Sequence, residues 1–246
     1  MDPRALGERI IAARSAGELL EAPVEPGLDA GSAYGVQDMI TGWRISQGAS
    51  IAGWKLGYTS RVMREQMGID EPNLGPLFDP MLLESGAVID AGVVQPRVEP
   101  EVAAVLVRDV DHPDAVASAV GEWRLAIEVV DSVWRDYRFD WSLNTADGSS
   151  AAFVALGGRI STVVDLEVVI DVEGEIECGR TDAAMGDPRT ALRWLAEQRV
   201  GHSRGLRAGD VVITGGLTRA LPLPMGATAV ARCAGAEARV SRGGVG

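Results

Sequence analysis

Lysine is almost missing from this chain: of the 23 basic residues among 246, only Lys55 is a lysine and the other 22 are arginines. Histidine and cysteine are equally scarce, with two of each. His112 and His202 fall in loop-like sequence without the pair spacing of a zinc site, and Cys178 and Cys233 make no disulfide framework. Positive charge is deficient overall, since 35 acidic residues leave a formal net charge of −12. That balance argues against nucleic acid, whose phosphates are neutralised by Lys and Arg, and against an anionic membrane surface. No apolar run approaches the roughly 20 residues of a bilayer span. Met1-Asp2-Pro3-Arg4 lacks the basic and apolar regions of a signal peptide, so the expected location is the cytoplasm. The glycine pairs Gly157-Gly158 and Gly215-Gly216 lack the strand–GxGxxG–helix setting of a dinucleotide site, which argues against a nicotinamide cofactor.

What is present is an apolar fraction of 46%, enough for one sizeable core. Apolar spacing predicts helices over residues 3–20 and from Ser32 or Ala33 to about Gln47. Ser60 caps a third, short helix, Arg61 to Met67. The Asp187-Pro188 pair reads as an N-cap with proline at the first helical position, opening a helix to about Arg199. A further helix is expected over Pro113–Trp123. Strands are expected at Ile51–Tyr58, Ala87–Ile89, Val98–Val107, Leu125–Val130, Leu166–Val172, Val211–Thr214 and Ala227–Cys233, with a hairpin turn at Glu173-Gly174. The stretch holding Pro72, Gly75, Pro76 and Pro80 reads as an irregular loop. Strands that mostly follow one another predict an α+β fold with a mixed, rolled sheet. The division expected is a helical N-terminal region carrying the Lys55 strand, residues 1–68, and a mixed-sheet catalytic core, residues 69–246.

The chemistry-bearing signal is a set of three carboxylates in apolar strands. Alternation puts Glu99 and Glu101 on one side of their strand, where two like charges repel unless a cation separates them. Glu128 interrupts the apolar run Leu125–Val130, and an isolated buried carboxylate must be paired, protonated or given a metal. Three carboxylates from two strands match a hard divalent cation, Mg²⁺ or Mn²⁺. The alternative is that Glu99 and Glu101 line a solvated face and Glu128 pairs with an arginine. Pro100 cannot donate to a ladder, so the strand is expected to be irregular or at an edge there.

Five ordered motifs then resemble one family. Ala52-Gly53-Trp54-Lys55-Leu56-Gly57-Tyr58-Thr59-Ser60, followed by Pro72-Asn73-Leu74-Gly75-Pro76-Leu77-Phe78-Asp79, looks like the opening of the 2-keto-4-pentenoate hydratase family. That family includes 4-oxalocrotonate decarboxylase and is related to the fumarylacetoacetate hydrolase fold. Gln95–Glu101 resembles its QPRxExE strand, Ala126–Ser132 its LEIVDSR strand, Thr145–Ser150 its ADNASS stretch and Leu206–Gly216 its LKAGDVILTGG stretch.

The resemblance implies a sheet core of the fumarylacetoacetate hydrolase C-terminal type, with a divalent metal on Glu99, Glu101 and Glu128. Lys55 would be the acid/base that moves a proton, its pKa lowered beside the cation, or would hold the substrate carboxylate, with Asp79 a weaker second acid/base candidate. Ser149, Ser150, Gly215 and Gly216 would bind the substrate carboxylate or support the site. The activity implied is hydration of a small 2-hydroxydienoate or 2-oxo-enoate acid, with decarboxylation of a 2-oxo-enedioate as the alternative. A non-catalytic paralogue binding a small acid is the reading from another class. A homo-oligomer, or pairing with a related hydratase or decarboxylase subunit, is also implied. Three places depart from the motifs: Gly148 stands where the family has Asn, Val133 where it has Arg, and Cys178–Pro188 where it has a Gly-Ala-rich stretch before LGHP.

Overall fold

The computed structural model describes residues 1–24, 27–61, 64–65, 68–89, 92–202 and 204–244. Two capped helices open the chain. Asp2 accepts a hydrogen bond from the Arg4 amide to start α1 (Pro3–Ala16), which ends at Gly17 in the left-handed conformation (φ 67°). Asp29 caps α2 (Ala30–Ser46) through the Ser32 amide. Leu6, Ile10 and Val36 from these helices bury against Val133, Trp134 and Leu143. The predicted helix Arg61–Met67 lies in part outside the described residues.

The strands that follow are β1 (Ile51–Gly57), β2 (Asn73–Phe78), β3 (Leu82–Glu84), β4 (Ala87–Ile89), β5 (Arg97–Leu106), β6 (Val120–Val130), β7 (Ala151–Ile160), β8 (Glu167–Val172), β9 (Glu175–Arg180), β10 (Val211–Ile213), β11 (Leu221–Pro222), β12 (Thr228–Cys233) and β13 (Ala236–Arg242). Between them stand α3 (Val116–Ala119), α4 (Trp141–Ala146) and α5 (Pro188–Arg199). One sheet runs β2-β1-β10-β5-β6-β7-β3 with β11 beside β5, and a second runs β4-β13-β12-β8-β9. Pairs β1/β10, β3/β7 and β4/β13 are parallel and the rest antiparallel, so the fold is α+β with mixed sheets, as expected.

Alternation divides the labour of the central strands. Val98 and Val102 of β5 and Leu125, Ile127 and Val129 of β6 pack on the second sheet through Val168, Ile170, Ala229 and Val240. Farther along that face, Trp54, Leu56, Ala104 and Val212 meet Leu192 and Leu195 of α5. The opposite face of the same strands carries Lys55, Glu99, Glu101 and Glu128.

Three elements differ from expectation for identifiable reasons. The expected helix Pro113–Trp123 is shorter, a 3-10 turn at Pro113–Ala115 running into α3, after which the chain extends into β6, where Arg124 and Glu122 pair with Ala103 and Val105; ladder pairing overrides helical propensity. The proline-rich loop is instead β2, and it tolerates Pro76 because β2 is the edge of its sheet. Residues 151–160 form β7, whose Gly157 admits the backbone of β13: a Cβ there would strike the Glu237 carbonyl. The Glu173-Gly174 turn is present, with both residues at positive φ (50° and 92°) between β8 and β9, as a type I′ hairpin requires.

Candidate metal centre and cavity

Strand register assembles the site. Glu99 on β5 lies directly opposite Glu128 on β6, and Glu101 follows two residues along the same face. Lys55 on β1 is in register with Ile213 on β10, which is in register with Ala103 on β5, so the lysine projects from that face as well. The neighbours Ala103, Ala126 and Gly75 are small, leaving room for long side chains to converge. Carboxylate oxygens of Glu99, Glu101 and Glu128 all lie within 4.8 Å of one another.

Glu101 and Glu128 are buried, and so is Lys55. Lys55 Nζ lies 2.8 Å from Glu128 Oε1 and donates to Oε2 at 3.0 Å and to the Ser149 carbonyl at 2.7 Å. Glu101 Oε2 accepts from the Gly215 amide at 2.6 Å. Glu101 Oε1 is buried with no hydrogen-bond partner, whereas Glu128 Oε1 lies in the ion pair with Lys55. Glu128 thus pairs with the lysine, not with one of the 22 arginines.

Burial, followed by repulsion from Glu128, pushes the Glu99 carboxyl up to about 7. Burial and the same neighbour hold Glu101 well above the usual carboxylate range. Desolvation pulls the Lys55 ammonium down, but Glu128, Glu101 and Glu99 together outweigh it and raise it above the ordinary lysine value. The lowered value expected from sequence concerns a lysine beside a bound cation; the three carboxylates by themselves set the opposite direction.

An all-oxygen donor set with an unpartnered buried oxygen on Glu101 suits a hard divalent cation. The wall at Gly216 agrees, because a Cβ there would collide with Glu99 Oε2. Both glycines owe their position to a split in the sheet. β5 pairs with β10 through residues 103–105 and with β11 through residues 97–98. Pro100, lacking an N–H, falls between, where Thr214 and Leu217 donate to the Val102 and Pro100 carbonyls. The expected irregularity at Pro100 is this gap, and Gly215 fills it at φ 111°.

Ser149 and Ser150 lie with Gly148 in a run of three left-handed residues (φ 57°, 58° and 71°) after α4. A Cβ built on Gly148 meets no atom within 4 Å, and its positive φ is one that glycine adopts freely and asparagine tolerates. Asp147 anchors the turn: fully buried, it accepts from Arg14 Nη2 at 2.6 Å and from the Val133 amide at 3.1 Å. Val133, the second departure, is itself buried among Leu6, Ile10 and Trp134.

Sequence reasoning missed the polar network behind the lysine. Asn73, fully buried, donates to Asn144 Oδ1 (3.1 Å) and Thr145 Oγ1 (2.9 Å) and accepts from Ser149 Oγ (3.0 Å). Asn144 donates in turn to Ser150 Oγ at 3.0 Å. A cavity of about 300 Å³ opens above these groups, lined by Lys55, Glu99, Ser149, Ser150 and Gly216 and by Tyr58, Arg97, Tyr137 and Phe139. Arg97 was legible as part of a motif, but neither it nor Tyr137 carried an assigned role.

Asp79 does not join the site. It is exposed just past the far end of β2 and accepts from the Ser50 amide at 2.8 Å. In the β1/β2 ladder Phe78 pairs near Ile51, whereas Lys55 pairs with Gly75. Asp79 therefore sits about four residue rises, roughly 13 Å, down the strand from the lysine.

No family model matches the chain. A 2-keto-4-pentenoate hydratase of Burkholderia vietnamiensis is 37% identical over 207 residues, covering 78% of each sequence. The solved 4-oxalocrotonate decarboxylase of Pseudomonas putida G7, complexed with magnesium and adipate, superposes with a TM-score of 0.86 at 27% identity, covering 97% of this chain and 96% of that one. A fumarylacetoacetate hydrolase family protein of Yersinia pestis shares the fold at a TM-score of 0.63 and 17% identity, over 77% of this chain and 91% of that one. The motifs, the sheet architecture and an identity this high over more than three quarters of both sequences agree, and the chain belongs to the 2-keto-4-pentenoate hydratase family.

Proposed function

We propose that this protein is a divalent-metal-dependent lyase that adds water to a small 2-hydroxydienoate or 2-oxo-enoate acid. The observation that carries the reading is the cluster of half-buried Glu99 with buried Glu101 and Glu128, one Glu101 oxygen of which has no hydrogen-bond partner, beside Lys55 on the wall of a 300 Å³ cavity. In this reading the three carboxylates hold Mg²⁺ or Mn²⁺, which when bound supplies Lewis-acid polarisation of the oxygens of a 2-oxo or 2-hydroxy acid. Lys55 moves the proton to and from the carbon skeleton at Nζ, a task arginine cannot perform. Glu128 and the Ser149 carbonyl aim that ammonium. The Gly215 amide orients Glu101, and Gly216 leaves the space Glu99 occupies. Ser149 and Ser150, fixed by Asn73 and Asn144, support the wall. Val130 and Phe139 line the cavity and keep water from the carbon chain. A cavity of this size suits an acid of five or six carbons.

Decarboxylation of a 2-oxo-enedioate by the same residues is the second reading, favoured by the structural likeness to the decarboxylase along nearly the whole chain. The Mg²⁺-loaded protein given 2-hydroxypenta-2,4-dienoate should consume the diene absorbance and release no CO₂. Release of CO₂ from 4-oxalocrotonate, with no loss of the dienoate, would replace hydration by decarboxylation. Binding of either acid without turnover would make the chain a non-catalytic relative. A homo-oligomer in the cytoplasm belongs to the same reading; sedimentation velocity checks the assembly, and a monomer would remove that part.

A further inference from the structure

Several polar groups on the cavity wall are already paired. Ser149 donates to Asn73 and Ser150 accepts from Asn144, while the Tyr137 hydroxyl sits 2.9 Å from the Val130 carbonyl and 3.0 Å from the Gln95 carbonyl. The Tyr58 hydroxyl is different. Tyr58 lines the same cavity, and its phenolic oxygen is buried with no hydrogen-bond partner among the described residues. Burial, then the charges of Asp140 and Glu99, raise its pKa above the ordinary phenol value, so the hydroxyl keeps its proton and can donate. A buried donor left unpaired costs the ligand-free chain, and an acceptor on a ligand removes that cost.

The backbone holds this side chain in place against a preference of its own. Tyr58 follows the last residue of β1 with φ at 56°, a left-handed conformation that a bulky side chain rarely adopts. Arg64 Nη1 fixes the turn by donating to the carbonyls of Tyr58 at 2.6 Å and Thr59 at 3.1 Å. Strain of this kind persists where the surroundings enforce it, and it gathers at functional sites. The register gives the location. Lys55 is level with Ile213 and, through it, with Ala103. Because β1 runs opposite to β5, Tyr58, three residues on, is level with Pro100, between Glu99 and Glu101. β10 has already ended at Ile213, so Tyr58 borders the gap in the sheet beside the carboxylate cluster.

The reaction brings one group in need of such a donor. The acid head of the substrate belongs to the metal-binding end, and Val130 and Phe139 give the carbon chain an apolar wall. In the 2-oxo-3-enoic form of the substrate, conjugation makes the fourth carbon the electrophile. The oxygen of water bonds to that carbon as the double bond opens, the third carbon takes a proton from Lys55 Nζ, and the water gives up a proton to solvent. The added oxygen is the one polar atom that hydration places on the apolar part of the substrate.

Building on the functional reading above, we propose that Tyr58 is a substrate-binding residue whose hydroxyl holds the incoming water, and then the 4-hydroxyl of the product, at the fourth carbon. The site then recognises 4-hydroxy-2-oxo acids in preference to 2-oxo acids of equal length that lack the hydroxyl.

The test compares 4-hydroxy-2-oxopentanoate with 2-oxopentanoate, each titrated calorimetrically into the full Mn²⁺-loaded chain. Wild type should bind the hydroxy acid about tenfold more tightly, the worth of a buried donor gaining its partner. Tyr58→Phe should bring the hydroxy acid down to the affinity of 2-oxopentanoate and leave the latter unchanged. Without ligand, its urea midpoint should match or exceed that of wild type, because no hydrogen bond is lost; a lower midpoint would give the hydroxyl a structural partner and overturn the proposal. Exchange of the carbon-3 hydrogens of 2-oxopentanoate in D₂O needs Lys55 but no added water. It should run at the wild-type rate in Tyr58→Phe, while hydration of the dienoate slows by at least about tenfold. Loss of exchange together with hydration would make Tyr58 a brace for Lys55 and overturn the proposal. Equal binding of the two acids by wild type overturns it while leaving the metal-site reading intact, as does a preference that survives Tyr58→Phe or an equal weakening of both acids. If wild type binds neither acid and exchanges no hydrogen, the functional reading falls and the proposal falls with it.

Discussion

Without metal, the protein should lose stability as pH rises from about 5 to about 8, and Glu99 should carry a separable share of that loss. Burial and then Glu128 push its carboxyl from 4.5 to about 7 in the folded chain. A carboxyl whose folded value is the higher one holds its proton more tightly in the native state. Its cost is absent below the unfolded value and fully expressed once pH has passed the folded one. At about 1.36 kcal/mol per pH unit the shift corresponds to about 3 kcal/mol, and because Glu99 borders the open cavity, screening brings it nearer 2 kcal/mol.

The assay is urea denaturation of EDTA-treated wild type and Glu99→Gln at several pH values across this window. Subtracting the two profiles cancels the titrating groups remote from Glu99 and leaves its own titration together with its coupling to Glu101, Glu128 and Lys55. Glu99→Gln should gain about 2 kcal/mol on wild type between the two ends of the window. Adding Mg²⁺ at a hundredfold excess over its dissociation constant should restore about 2.7 kcal/mol to wild type at the alkaline end, and much less to the variant. Parallel profiles would refute the account of Glu99 as a buried carboxyl poised by Glu128. Equal Mg²⁺ stabilisation of both proteins would refute its assignment as a ligand.

Lys55→Arg should keep the fold and bind Mg²⁺ but lower turnover of the dienoate by at least about a hundredfold; an active variant would show that the proton moves elsewhere. Arg14→Ala strips the cation from fully buried Asp147, which should cost about 3–5 kcal/mol in chemical denaturation, with Arg14→Lys recovering part. Gly148→Asn occupies open space at a backbone angle asparagine tolerates. It should change stability by less than about 1 kcal/mol and leave turnover nearly unaltered; a collapse in either would mean the glycine serves something beyond its conformation.

Strand alternation alone was enough to put Glu99 and Glu101 on one face, and the apolar run around Glu128 marked it as a carboxylate in need of a partner. That these meet, and meet Lys55, depends on which strands neighbour one another. The order β1-β10-β5-β6 is a fact of topology that periodicity does not encode. β2 hid behind its prolines because the sequence cannot say that the strand is an edge. β7 hid behind Gly157-Gly158, whose meaning appears only when β13 packs across it. Asp79 misled for a related reason: it closes a motif that also holds Asn73, yet β2 runs away from the site and only its Asn73 end reaches the polar network behind Lys55. Asn73 and Asn144 carried no charge or spacing to flag them, and only burial without water reveals their hydrogen bonds as a support. The partner of Glu128 was open between arginine and metal, and it proved to be the lone lysine.

The pairing of Gly53–Lys55 with Val211–Ile213 has a consequence for biosynthesis. The lysine comes from the first quarter of the chain, the three carboxylates from its middle, and the Gly215 amide that braces Glu101 from near its end. A chain not yet extended through β10 lacks the strand that seats Lys55 beside the carboxylates. Such a chain would carry three mutually repelling acids with neither ammonium nor amide to steady them. Affinity for metal should therefore arise only once β10 and the Gly215 turn have been made, and truncation before β10 should abolish it even though every proposed ligand is already present.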